Sequence, residues 1–125
     1  MIAFLRIWAV VGGLSLMTGE AYRSWGAGRP VPFWMDDMLA GACLLFAAWA
    51  LRRVTSGSLA TMAAAWGFAS GMLYVSFFDK LYDPARADPG NFAIGVLTVL
   101  VGIAFATAVI CLLLSLREAA RHHAR

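Results

Sequence analysis

Four long apolar stretches, separated by short polar segments, organise this chain. They run from Ile2 to Met17 (extended by Thr18 to Tyr22), from Phe33 to Leu51, from Ser58 to Phe78, and from Phe92 to Leu116. Crossing the hydrocarbon layer of a bilayer takes about 20 mostly apolar residues. The pattern predicts an all-α, polytopic integral membrane protein: an antiparallel bundle of four transmembrane helices at about 2–22, 33–52, 58–79 and 91–118, forming one domain over 1–125. Gly19-Glu20-Ala21 resembles a signal-peptide cleavage site, but the first stretch is expected to be retained as a membrane helix.

The second stretch is the ambiguous one, because its uninterrupted part covers only Met38–Leu51. Adding Phe33, Trp34 and Met35 restores a full span, with Asp36 and Asp37 about one turn inside its start and Pro32 suited to the first turn. Arg52–Gly57 is short enough to make the second and third helices antiparallel neighbours. Thr55 or Ser56 is expected to cap the third helix, and Asn91 the fourth.

Helices in lipid associate through close packing, which small residues permit. Small-residue stripes occur at Ala9, Gly13 and Leu16, at Ala40, Cys43, Ala47 and Ala50, at Ala60, Ala64, Gly67 and Gly71, and at Gly95, Gly102 and Ala106. These stripes are expected to face neighbouring helices, leaving Trp49, Trp66, Leu73 and Phe77 towards lipid or a partner. Cys43 and Cys111 differ in depth by two turns or more, too far for a disulfide, and read as packing residues.

The chain has 125 residues, 62% hydrophobic and 14% charged, which leaves too little polar surface for a soluble domain of this size. Arg6, Arg52, Arg53, Arg117, Arg121 and Arg125 fall on one side of the spans with a single acid, Glu118. Arg23, Arg29, Lys80 and Arg86 fall on the other, with Glu20, Asp36, Asp37, Asp79, Asp83 and Asp88. The basic bias predicts a multi-pass protein of the inner (cell) membrane with both termini cytoplasmic. The net charge of +3 then reflects orientation and attraction to anionic headgroups at the cytoplasmic face, not nucleic-acid binding.

One constellation stands out. Glu20 continues the small stripe of the first helix and Asp36 begins that of the second, with Asp37 about 100° further round. Asp79 lies at the same level beside Lys80, and Arg23 and Arg29 are the available cations. Ionisable groups inside the membrane boundary point by default to function, here a ligand or ion site made by Glu20, Asp36, Asp37, Asp79 and Arg23. A structural explanation also fits: Asp36 and Asp37 sit near a helix N-terminus, where negative charge is favoured, and Glu20 and Arg23 form an i, i+3 pair.

No histidine lies in an apolar stretch, and no Cys-x-x-Cys, His-Glu-x-x-His, Gly-x-Ser-x-Gly or P-loop string occurs. No catalytic residue, metal or cofactor is therefore expected. His122-His123 on a basic tail is weak as a metal pair. The leading expectation is a non-catalytic accessory or assembly subunit with a membrane-protein partner or as a homo-oligomer. Two others stand beside it: a homo-oligomeric cation- or proton-coupled transporter using the outer carboxylates, and an embedded enzyme acting on lipid headgroups at the outer leaflet.

Overall fold

A computed structural model describes residues 1–125 and contains only helices: α1 Ile2–Ser24, α2 Pro32–Ala50, α3 Ser56–Tyr82 and α4 Ile94–His123. Each is long and apolar enough to cross a membrane, with mean hydropathy from 1.2 for the best window of α3 to 2.8 for that of α4. Helices satisfy every backbone polar group within their own segment, which lipid demands. The chain is an all-α, polytopic, antiparallel four-helix bundle.

Local chemistry sets the helix ends. Thr55 caps α3 through a reciprocal box: its Oγ1 accepts from the Ser58 N–H at 3.0 Å while Ser58 Oγ accepts from the Thr55 N–H at 2.9 Å. Such a cap contributes about 1 kcal/mol. Pro32 occupies the first turn of α2, where its missing N–H costs nothing. Asn91 does not cap α4, which starts later, after Ala93. Its side-chain amide instead donates to the carbonyls of Tyr22 (2.8 Å) and Trp25 (2.6 Å) at the end of α1. At about 1.5 Å per residue α4 is roughly 45 Å long, more than the ~30 Å hydrocarbon layer. Its basic last turns, with the Arg121–Glu118 pair, therefore project beyond the layer.

Two tight hairpins, α1–α2 and α3–α4, pack through α2 against α3, while α1 and α4 meet only sparsely. Gly13 and Gly41 let α1 and α2 approach. A Cβ on Gly13 would lie 2.8 Å from the Gly41 carbonyl oxygen, and one on Gly41 would lie 2.4 Å from Met17 Cγ. Arg6 Nε, near the other end of α1, donates to the Ala48 carbonyl at 3.3 Å.

The small-residue stripes correct the expectation drawn from sequence. On α1, Ala9 and Gly13 are buried as expected. On α2 the buried face is rotated to Ala40, Gly41, Leu44, Ala47 and Ala48, leaving Cys43 and Asp36 exposed. On α3 the assignment inverts: Leu59, Met62, Trp66 and Leu73 are buried, whereas Ala60, Ala64 and Gly71 face outwards. The reason is that small residues here receive large ones. The Trp66 ring sits against Gly12, where a Cβ would come within 2.9 Å of it, and Phe77 sits against Gly102 at 2.8 Å by the same measure. Knob and notch lie on different helices, so a stripe of small residues on one helix does not identify its own inner face.

Gly41→Ala is expected to push α1 and α2 apart at the cost of overpacking, about 1–3 kcal/mol, read as a lower unfolding midpoint in detergent. Gly71→Ala, where a Cβ meets nothing within 4 Å, is expected to be neutral or stabilising by up to about 1 kcal/mol. Equal effects of the two would contradict this packing.

Candidate functional site

The end of the bundle formed by the α1–α2 and α3–α4 connections holds a buried carboxylate. Glu20, on the last full turn of α1, is 3% exposed. It pairs with Arg23 Nη1 at 3.4 Å and with Arg29 Nη1, and accepts from Ser24 Oγ. Arg29 comes from the α1–α2 connection and also donates to Ser24 Oγ at 2.7 Å and to the Phe33 carbonyl at 3.2 Å. A carboxylate taken out of water is stable only when its lone pairs are claimed in this way; both of its oxygens are.

The α3–α4 connection is latched onto this cluster. Arg23 donates through Nε to the Asp88 carbonyl at 3.1 Å, and Arg29 Nε reaches the Asp88 carboxylate at 2.9 Å. The Asn91 N–H meets the Arg23 carbonyl at 3.0 Å. Gly90, at φ +57°, passes so close to α1 that a Cβ would stand 2.0 Å from that same oxygen, so this position admits only glycine.

Below the latch the seam between α1 and α4 opens into a cavity of about 320 Å³, at the lower end of the range for small-molecule sites. The facing wall runs from Phe92, just ahead of α4, to Thr107 on it, and the α1 wall from Trp8 to Arg23. Fifteen residues of rise make this wall roughly 22 Å long. Most of the surface is apolar, with Trp66, Leu73, Leu97 and Val101 prominent. The polar end carries Glu20, Arg23, Asp37 and Ser76. Trp8, Val11, Leu100 and Ile103 line the cleft and are also exposed, so it opens sideways, towards the surroundings of the bundle.

Of the five residues singled out from sequence, the structure brings together Glu20, Arg23 and Asp37, all lining this cleft. The two carboxyl groups, Glu20 and Asp37, share its polar end. Asp36 and Asp79 are exposed and lie outside the cleft, because the inner face of α2 passes through position 37 and that of α3 through position 80. Sequence reasoning missed Lys80, which is 5% exposed and donates to Ser76 Oγ at 2.8 Å and to its carbonyl at 3.3 Å. A signal for it existed: Leu59, Trp66, Leu73 and Lys80 recur at seven-residue intervals, and all four are buried. The roles of Asp88 and Asn91 as latch residues carried no comparable signal, since turn-forming strings do not say what a loop will touch. No group of three or more His, Cys, Asp or Glu side chains gathers closely enough to hold a metal ion.

Searches against protein-family models, characterised proteins and solved structures returned no match for this chain.

The latch has a pH signature. Slight burial works upwards on the Asp88 carboxyl. The Gly90 N–H, the Arg29 hydrogen bond and the charges of Arg29 and Arg23 work downwards and prevail, holding it below its ordinary value of 3.8. A depressed pKa means a contribution present in full above the ordinary value and lost as pH falls through the lower folded-state value. Limited proteolysis of the α3–α4 connection is expected to stay slow down to about pH 4 and to accelerate below it, whereas Asp88→Asn is cut readily at neutral pH. A variant as protected as the parent at pH 7 would remove Asp88 from the latch.

Proposed function

We propose that this chain is an inner-membrane protein, termini cytoplasmic, that binds an amphipathic, lipid-like ligand through the α1–α4 cleft. The observation that carries the reading is the cleft itself: long, apolar and laterally open, with charge at one end only. Its shape and polarity complement a molecule with a hydrocarbon tail and a polar head. The excess of Lys and Arg at the opposite end supports placing the polar end of the cleft at the outer leaflet, where such a head would lie.

This shifts weight among the functions expected from sequence. A cation- or proton-coupled transporter based on Glu20 gains less support, because two arginines and a serine already claim both of its oxygens. The headgroup-binding element of the lipid-directed reading is retained, without a catalytic step. An accessory-subunit role remains a second reading, favoured by the uncovered flank of α4: Val96, Val99, Ile103, Ile110 and Leu113 are all more than half exposed. It predicts a stoichiometric membrane-protein partner after mild extraction at native expression level. Isolation as a free monomer under those conditions would count against it.

Gly19 provides the test of the main reading. It lines the cleft, and a Cβ there meets nothing within 4 Å, so a side chain added at this position starts in open space and can narrow the cleft. Gly19→Leu is expected to lower co-purifying lipid, quantified by mass spectrometry, about tenfold, the effect of losing ~1.4 kcal/mol of binding. Thermal stability is expected to hold or rise, since leucine is the better helix former. Undiminished lipid in a folded Gly19→Leu protein would refute the cleft as the binding site.

A further inference from the structure

At the end of the bundle that carries both termini, a second hollow lies between α1 and α2. It measures about 600 Å³ and opens to the surroundings of the bundle. Ile7, Val10, Leu45, Ala48 and Trp49 belong to its apolar walls, and Arg6 is its one polar residue. Ala48 is among the last four residues of α2, whose carbonyls have no partner further along their own helix. Arg6 Nε donates to that carbonyl at 3.3 Å. The bond anchors the guanidinium at the groove and leaves both Nη groups without a partner in the protein. No ion pair involves Arg6, or Arg52 and Arg53 at the same end. The single acidic side chain there, Glu118, is held by Arg121. Trp49, in the last turn of α2 and more than half exposed, is placed where aromatic rings meet headgroups.

We propose that this groove seats an anionic phospholipid, its phosphate on the two Nη groups of Arg6 and an acyl chain along Ile7, Val10 and Leu45. The site is separate from the α1–α4 cleft and does not depend on what that cleft binds. A planar guanidinium offers a phosphate two parallel charge-assisted hydrogen bonds, the stronger class. The charges around it select among headgroups. A choline or ethanolamine headgroup brings an ammonium to an end of the molecule that has no free carboxylate, where Arg52 and Arg53 repel it. A glycerol headgroup brings no such charge, so its lipid keeps the full attraction of the basic side chains. Free phosphate meets Arg6 but has nothing to place against the apolar walls.

The full-length chain in mild detergent is titrated with phosphatidylglycerol, phosphatidylcholine and inorganic phosphate, and bound species are counted by native mass spectrometry. Phosphatidylglycerol is expected to be retained about fivefold over phosphatidylcholine, and inorganic phosphate is expected not to displace it. Arg6→Gln, which keeps an N–H for the Ala48 carbonyl, is expected to abolish the preference. Arg117→Gln, the same loss of charge on α4 outside the groove, is expected to keep it. Val10→Trp fills the groove from an exposed position and is expected to lower phosphatidylglycerol retention without removing a charge; it decides the matter if Arg6→Gln fails to fold. Gly19→Leu, in the other cleft, is expected to leave the preference unchanged, so failure of the cleft reading and failure of this site are told apart. Equal losses in Arg6→Gln and Arg117→Gln reduce the preference to diffuse charge and overturn the proposal. Full retention in Val10→Trp, or displacement of the lipid by inorganic phosphate, overturns it as well.

Discussion

The arrangement of this molecule depends on how it accommodates one carboxylate, Glu20, out of water. A lone charge at that depth costs several kcal/mol even after relaxation, so the chain surrounds it with donors drawn from three segments. Arg23 and Ser24 come from the same helix, Arg29 from the following connection, and Asp88 braces both arginines from the far side of the bundle. The network fixes the approach of the α3–α4 connection to α1. It binds the two hairpins at one end and leaves their α1–α4 seam to part below. Latch and cleft are thus two results of one electrostatic requirement.

How much of this could be read from sequence follows from the range of each interaction. The four spans were legible because lipid imposes a simple rule on length and polarity over some 20 residues. A cap at Thr55 (one of two candidates, with Ser56) and the Glu20–Arg23 pair were legible because their partners are three residues apart. The reciprocal bond to Ser58 was not foreseen. The buried faces of α2 and α3 were not: which side of a helix lies inward depended on which neighbour offered a notch for Trp66. A stripe of alanine and glycine suits both lipid and protein contact. Once Trp66 is known to be buried, the heptad through Leu59, Leu73 and Lys80 follows, and so does the displacement of the inner charge from Asp79 to its neighbour. The Arg29–Asp88 bridge joins residues 59 positions apart, and nothing local in the chain announces it.

Side-chain volume governs the bundle as much as polarity does. Gly13 against Gly41 brings the first hairpin together, while Gly12 and Gly102 receive aromatic rings. Gly19 and Gly71 have open space around them. Glycine thus serves three ends here, and only the first two are packing. The openness at Gly19 contributes to the width of the cleft next to its charged end, where a bulkier residue would narrow it.

The sequence order of the Glu20 cluster bears on how the chain enters a bilayer. Glu20, Arg23, Ser24 and Arg29 all belong to the first hairpin, with Arg29 only nine positions beyond the carboxylate. During synthesis the acid therefore meets its counter-charges before α3 has emerged. The first hairpin can partition into lipid with its charge already neutralised, and the second then arrives against a preassembled surface, adding Asp88 as a brace. Reversing the order of the hairpins would send the brace in first, with no arginine to receive it.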